Sequence, residues 1–492
     1  MIIMMGNSKN WEKLKNVLLV VLFLSTVLLL YVFWGNFSLD KINLTDFSDG
    51  TEEDLPPVTK VTTPTEVDIY FGNDLYTVLD GTGRIWEAGL EQLGSFCKSK
   101  DVKVEVISPE KYHEVMCHAH ISYRFSYNVP AHDFFSYIGY IGTSSNSAMD
   151  SIGSFRSIVW SEGSQESLFF NDKENGIHYR AYFGEDALLF TEIMDRLENS
   201  EYVSYYSLGT FAENDVRTLV PLALTSALAK TSWEAETLVG DKGRAKDYAQ
   251  TFFGENFDFV RKITERTGNR IYMYGYGQKV LTMNAAGSSE YKEETLNSGE
   301  TQDYFSALET GMQFVAAHGG WPDYEEDGIF LYVKTMEKLE QDKSKGYRIV
   351  FGIKTKQGEV FYEGSEAVIL EIFNGQVTYY FRNLIQVREN RTENREKEAY
   401  SAVNMLAENY EIVAKTMSEN GMEISLEDKE NLFNNVCSYI NRVIPGYLLE
   451  SDQSRSQQHK YLKPVWAVEA DTLTFYFDLY TAEFLGADRT VE

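Results

Sequence analysis

The chain has 492 residues, with 45 lysines and arginines against 74 aspartates and glutamates, a net charge of −29. Hydrophobic residues make up 43% and aromatics 14%, enough apolar surface for packed cores, which excludes a disordered or collagen-like chain. The acidity argues against nucleic acid as a partner, since phosphate binding needs a basic face, and three cysteines cannot form a dense disulfide framework.

Residues 17–34, from Val17 to Trp34, carry no charged side chain. At 1.5 Å per residue these positions span roughly 27 Å, close to the hydrocarbon thickness of a bilayer. Lys9, Lys13 and Lys15 precede the run, offset only by Glu12, while Asp40, Lys41, Asp46 and Asp49 follow it. The positive-inside bias makes residues 1–16 a cytoplasmic stub and puts the bulk of the chain outside, on a single-pass anchor in the cell membrane. A cleaved signal peptide would have a shorter apolar run ending at small residues, and a lipoprotein would need a cysteine far earlier than Cys97. Ser25 and Thr26 are the candidates for helix–helix contact inside the membrane, set against the simpler role of bonding their own backbone. Without the stub's three lysines and one glutamate, the exterior has 42 basic and 73 acidic residues, hence −31. Such a surface should meet proteins rather than lie on anionic lipid.

Residues 35–65 are polar, acidic and proline-containing, and read as an extended linker. A first exported domain, 66–250, opens with strands at Val67–Phe71 and Leu75–Leu79, a helix near Arg84–Phe96 and a strand at Val102–Ile107. Ser108-Pro109-Glu110 has helix-start chemistry: a capping serine, proline at the first helical position and an acid at the positive end. Cys117–Tyr127 alternates, with Cys117, Ala119, Ile121, Tyr123, Phe125 and Tyr127 on one face and His118, His120, Ser122, Arg124 and Ser126 on a solvated one. Strands around Arg156–Trp160, Leu168–Asn171 and His178–Phe183, a helix near Ala187–Leu197, and strands near Tyr202–Leu208 and Arg217–Leu224 complete it.

A central domain, 251–387, begins with a helix near Glu255–Thr267 and strands at Arg270–Tyr274 and Lys279–Met283. A helix carrying Tyr304, Leu308, Met312 and Val315 on one stripe stops at Gly319-Gly320. Strands follow at Ile329–Lys334, Tyr347–Thr355, Ala367–Phe373 and Val377–Arg382, the last two joined by the hairpin signal Asn374-Gly375. The last domain, 388–492, opens with a charged segment and a long helix whose stripe is Val403, Leu406, Ala407, Tyr410, Val413, Ala414 and Met417, ended by Gly421. A second helix spans about Leu426–Arg442, and strands lie at Gly446–Glu450, Lys463–Glu469 and Thr472–Leu479. The central and last domains share an order of helix then antiparallel strands, as a diverged repeat would. The fold class is α+β: one N-terminal transmembrane helix and three extracytoplasmic domains with helices packed on antiparallel sheets, the last two domains similar to each other.

Candidate chemistry is sparse. His118 and His120, sharing one strand face beside Cys117, are the metal candidates, but two histidines make an incomplete zinc site and a solvated strand face accounts for them better. Asp323–Gly328 has an acidic run but Lys334 where a calcium loop needs glutamate. S-x-x-K occurs at Ser38, Ser95, Ser108 and Ser289 without the S-D-N and K-T-G partners of penicillin-binding enzymes. Gly275-Tyr-Gly277 lacks the third glycine of a dinucleotide loop, and no phosphate-binding P-loop is present. Cys97, Cys117 and Cys437 read as buried thiols rather than nucleophiles. The sequence therefore names no catalytic residue, no cofactor and no metal.

The C-terminal part carries Tyr347-Arg-Ile-Val-Phe351, then VILEIFNGQVTYYFR from Val368 to Arg382, Leu462-Lys-Pro-Val-Trp466-Ala-Val-Glu469 and Thr474-Phe-Tyr-Phe477. With the anchor and the acidic exterior, this resembles the YycH family and its smaller relative YycI, membrane-anchored regulators of the WalK sensor histidine kinase in low-GC Gram-positive bacteria. The resemblance implies a three-domain exterior, no catalytic site, and control of a two-component system governing cell-wall metabolism through the membrane helix and the exterior. It implies a WalK-like kinase and a YycI-like protein as partners. The alternative is an anchored binding module for peptide, glycan or cell-wall fragments, which would show clustered tyrosine or tryptophan in a groove.

Overall fold

Alternating apolar side chains build most of the strands in the computed structural model, and the helices lie where apolar stripes meet capping residues. The structure describes residues 55–489, apart from 82, 98–101, 139–147, 185–187, 199–201, 213–215, 223–231, 238–241, 295–301, 323–327, 342–343, 356–357, 391–397 and 450–459. The expected anchor, 17–34, lies outside the described residues, as do Ser25 and Thr26. Among the described residues no helix is long and apolar enough to cross a membrane.

The first sheet contains β1 (Glu66–Gly72), β2 (Leu75–Asp80), β3 (Lys103–Ile107), β4 (His120–Pro130), β5 (Ser154–Ser161), β6 (Ser167–Asp172), β7 (Ile177–Tyr182), β8 (Tyr205–Ser207) and β9 (Leu219–Pro221). Its order is β3-β7-β6-β5-β4-β1-β2-β8-β9, and every described pairing in it is antiparallel. The helix Arg84–Cys97 lies on one face, where Trp86 contacts Tyr123 and Phe125 at ring distances of 5.3 and 5.6 Å. Gly89 permits that approach, because a Cβ there would sit 2.6 Å from the Tyr123 hydroxyl, which donates to the Ile85 carbonyl at 3.1 Å.

The second sheet contains β10 (Ser232–Thr237), β11 (Arg261–Thr264), β12 (Arg270–Tyr274), β13 (Lys279–Met283), β14 (Ser288–Glu293), β15 (Ile329–Gln341), β16 (Ser344–Thr355), β17 (Glu359–Tyr362), β18 (Val368–Phe373), β19 (Gln376–Asn383), β20 (Ile385–Asn390), β21 (Ile440–Leu449), β22 (Lys460–Ala470), β23 (Leu473–Asp478) and β24 (Phe484–Arg489). Its main path is β11-β12-β13-β14-β19-β18-β16-β17-β21-β22-β10-β20, with β15 on β16 and β23 then β24 built out from β22. The pairing of β17 with β21 is parallel, so the sheet runs continuously from the central part into the C-terminal part. The helix Tyr304–Ala317, capped by Asp303 accepting from the Ser306 amide at 2.9 Å, packs on β16, β18 and β19. The helix Ala402–Glu419, capped by Ser401, packs on β23. At the β18–β19 hairpin Asn374 and Gly375 both take left-handed backbone angles (φ 52° and 76°), as a type I′ turn requires. The architecture is therefore α+β, with helices on two sheets in which antiparallel pairing predominates.

Several expectations on local structure are corrected. The helix expected at Glu255–Thr267 is instead Lys242–Phe253, closed by a 3₁₀ turn, Gly254–Phe259, before β11 begins. Gly254 at φ 49° breaks the α-helix there. The helix expected to reach Arg442 covers only Leu432–Tyr439, because Val443, Ile444 and Pro445 belong to β21, where β-branched residues and proline defeat helix continuation. The stripe expected on Ala402–Glu419 is buried at Leu406, Val413, Ala414 and Met417, with Ala402 and Met405 added to it and Ala407 exposed. Cys117 caps the end of the helix Pro109–Met116 and is exposed rather than buried, whereas Cys437 is fully buried; the Cys97 side chain is outside the described residues.

Candidate functional site

The polar face of β4 is the starting point. It was expected to be solvated, but the second sheet covers much of it. Ser126 donates to the Lys334 carbonyl of β15 at 2.6 Å. Ser122 is buried, and so is Glu66, which pairs across the strands with Arg124. Arg124 Nη2 contacts Glu66 and lies 3.0 Å from Asp68 Oδ1.

From the opposite side β21 supplies Arg442. Its register with β22 slips between Ile440 and Arg442, so Asn441 is an extra residue and Arg442 is turned into the interface. The Arg442 guanidinium holds three carboxylates: Glu66 at 2.7 Å, Glu359 of β17 at 3.0 Å and Glu469 of β22 at 3.1 Å. Tyr332 donates its hydroxyl to Glu359. Lys354 donates to the Thr65 carbonyl at 2.9 Å and pairs with Asp80 at 3.2 Å, and Lys334 pairs with Glu366 at 2.7 Å. One arginine thus ties β1 to β17, β21 and β22.

The electrostatics follow from this geometry. Burial alone would raise the Glu66 carboxyl, but Arg442 and Arg124 outweigh it and hold it at about 2. Asp68 is pushed up to about 6, because burial and the Glu66 charge overcome the attraction of Arg124 and, more weakly, of Arg442. Burial also opposes ionisation of Glu359, yet Arg442 and Lys354 keep it below the usual carboxylate range. Glu366 stays above that range because its burial exceeds the attraction of Lys334.

Behind this network lies a cavity of ≈ 210 Å³. Arg124, Arg156, Lys334 and Arg442 line it with Glu66, Glu359 and Glu469; Lys173, Asn441 and Asp471 are exposed at its mouth. Phe125 and Tyr332 are its aromatic members, so its lining is ionic rather than a stacking groove for sugars.

The histidines are placed differently from the pattern expected. The strand starts at His120, and His118 lies in the turn before it, so the two do not share a strand face. His120 is buried against Tyr70, with its Nδ1 2.8 Å from the His118 carbonyl oxygen, and desolvation lowers its pKa to about 4. The His118 ring lies beside Gly163, where a Cβ would come within 2.8 Å. Among the described residues no group of three His, Cys, Asp or Glu side chains could hold a metal ion. Ser289 is buried in β14 with its hydroxyl 2.8 Å from that of Tyr248. The acidic run 323–327 lies outside the described residues.

Glu66, Arg124, Glu359, Arg442 and Glu469 were not singled out by sequence reasoning. Their signal was a lone charge inside a strand run of apolar and small residues: Arg124 in Ile121–Tyr127, and Glu469 between Val468 and Ala470. Such residues are almost never buried unless paired.

Comparison with solved structures bears on this arrangement. The crystal structure of YycH from Bacillus subtilis superposes with a TM-score of 0.55 at 14% sequence identity, covering 87% of this chain and 97% of that one. The chain has the YycH fold. The C-terminal domain of YpeB from Bacillus megaterium matches at a TM-score of 0.23 and 10% identity, over 51% of this chain and 98% of that chain, too distantly to carry an argument. No family model and no curated protein matches the sequence.

Proposed function

We propose that the chain is a non-enzymatic regulator of a membrane sensor histidine kinase of the WalK type, in a two-component system controlling cell-wall metabolism. The observation that supports this most is the likeness to YycH over 87% of the chain. In this reading residues 17–34 cross the cell membrane once with the N-terminus in the cytoplasm, and the two-sheet body lies outside. The anchor and the exterior together contact the kinase, with a YycI-like protein as a further partner. Contacts that favour one of two kinase states need supply a coupling of only about 1–3 kcal/mol. That is the scale of a few interfacial contacts, so regulation needs no chemistry on the regulator itself.

The test is photo-crosslinking in membranes from probes placed at Ser25 and Thr26, with co-purification of the full chain from cells expressing the kinase. A crosslink to the kinase helices, lost when the same probes are carried at the same depth by an unrelated apolar helix in place of residues 17–34, is the expected result. Absence of any kinase in both experiments would overturn the proposal.

A further inference from the structure

Three strands lose their register around the same cavity. Between the pairs Arg124–Ser157 and Val129–Phe155, β4 has four residues (125–128) where β5 has one, Arg156. On β15 the register slips between Val333 and Thr335, leaving Lys334 as the extra residue. On β21 the extra residue is Asn441. Phe125, Ser126, Arg156, Lys334 and Asn441 all line the cavity. One irregularity is common in a sheet. Three converging on one space is how strands re-aim side chains around a site, and bulges concentrate beside functional sites.

The polar groups there are unevenly matched. Arg442, Arg124 and Lys334 are engaged by carboxylates. Arg156, half-buried on the wall, has no carboxylate within salt-bridge distance among the described residues. Lys173 at the mouth has a hydrogen bond to Asn441 Oδ1 at 3.3 Å and likewise no carboxylate partner among them. Arg124 Nε is buried and lacks an acceptor. Of the acids facing the space, Glu66, Glu359 and Glu469 are bound to Arg442, and Asp471 stands exposed at the rim. Burial lowers the proton affinity of both Arg156 and Lys173 and neighbouring arginines add to it, an effect that Glu469 and Glu174 near Arg156, and Asp471 near Lys173, offset only in part.

We propose that this cavity is a binding site for a small oxyanion carrying two negative charges, with Arg156 and Lys173 as its principal ligands. A guanidinium offers paired donors to a phosphate or carboxylate, and charge-assisted bonds of this kind are strong where water is scarce. A single water needs only about 10–15 Å³ of such space, so a cavity of ≈ 210 Å³ is far larger than a bridging water requires. The exposed rim of Lys173, Asn441 and Asp471 gives the ligand an entry path. A dianion would give Arg156 and Lys173 the directly bonded counter-charge that no described carboxylate gives them. The site goes beyond kinase control and stands or falls separately from it.

Calorimetry and thermal melting of the full chain in detergent, at fixed ionic strength, test this with inorganic phosphate and succinate as probes and sodium chloride as control. Saturable heat and a rise in Tm with one probe or both is the expected result, and the stronger probe distinguishes a phosphate from a dicarboxylate. Arg156→Gln and Lys173→Gln should each weaken binding at least about tenfold. Lys173 is exposed, so K173Q should leave the anion-free Tm nearly unchanged and keeps the test valid should R156Q fold poorly. No saturable heat with either probe, or binding unaltered in K173Q and in folded R156Q, would overturn the assignment and leave a hydrated cavity or adventitious surface binding only.

Discussion

Replacing Arg442 with methionine keeps most of the side chain's bulk and removes its charge. Three carboxylates then lose their common partner, two of them on residues that are 8% exposed (Glu66) and 5% exposed (Glu359). Breaking a buried ion pair from one side costs about 3–5 kcal/mol, because the remaining charge stays desolvated. Glu66 keeps Arg124 and Glu359 keeps the Tyr332 hydroxyl, so the lower end, about 3 kcal/mol, is expected at pH 7. Urea denaturation of the full chain, followed by tryptophan fluorescence, reads this as a lowered midpoint with unchanged slope. The pH dependence carries the sharper information. In the wild type Glu66 is held at about 2, below its ordinary 4.5, so its contribution is present above pH 4.5 and is lost as pH falls toward 2. Without Arg442 the stranded acids take up protons more readily, so the penalty of R442M should shrink between pH 7 and pH 5. In an E359Q background the same substitution should cost less, with a coupling of about 0.5–3 kcal/mol. A loss below about 1 kcal/mol at pH 7, or a penalty independent of pH, would refute the claim that Arg442 neutralises these acids.

Asp68 has the opposite sign: its folded value of about 6 lies above the ordinary 3.8, so its contribution is full below pH 3.8 and is lost as pH rises through 6. Asp68→Asn should therefore stabilise the chain by about 1–2 kcal/mol at pH 8 and flatten the pH profile between 4 and 6, measured by thermal melting. A maleimide should label Cys117 on the folded chain and leave Cys437, whose thiol burial pushes up to about 12, unmodified until denaturant is added; peptide mapping reads both. Trp466 is buried with its indole N–H donating to the Tyr400 carbonyl at 2.9 Å, so Trp466→Ala should cost about 3–5 kcal/mol and Trp466→Phe about 1–3 kcal/mol in the same urea assay.

The strands and helices that were legible are those whose local chemistry and tertiary environment agree. Ser108-Pro109 starts a helix because the serine accepts from the Lys111 amide, and Asn374-Gly375 turns a hairpin because both residues tolerate left-handed angles. The elements missed carry no such pattern. β14 reads Ser-Ser-Glu-Tyr-Lys-Glu and becomes a strand because β13 and β19 pair with it on both sides. β20 contains Arg388 and Glu389, and only its pairing with β10, some 150 residues earlier in the chain, holds it in a sheet. The site was hidden for a related reason. Alternation along β4 separates two faces correctly, but it cannot say that a second sheet will cover the polar one. The three register slips lie between strands that follow one another in the chain, but each is a property of the pair, and no single strand's sequence records it.

The two kinds of contact between the sheets do different work. A continuous apolar core runs from Val67 and Trp86 on the first sheet through Phe134 to Tyr304 and Val333 in the central part, and it supplies non-directional attraction. Such a core tolerates small slides, because burying an area does not specify which residue meets which. The ionic seam does specify it. Arg442 reaches Glu66, Glu359 and Glu469 together only when β1, β17, β21 and β22 hold one relative position, and a one-residue slip in any of them leaves a carboxylate desolvated and unpaired. Replacing the seam with apolar side chains of equal volume could leave stability unchanged or higher. Its physical consequence is therefore positional: it fixes how the C-terminal strands sit on the first sheet, and in doing so it fixes the shape of the cavity that those strands enclose.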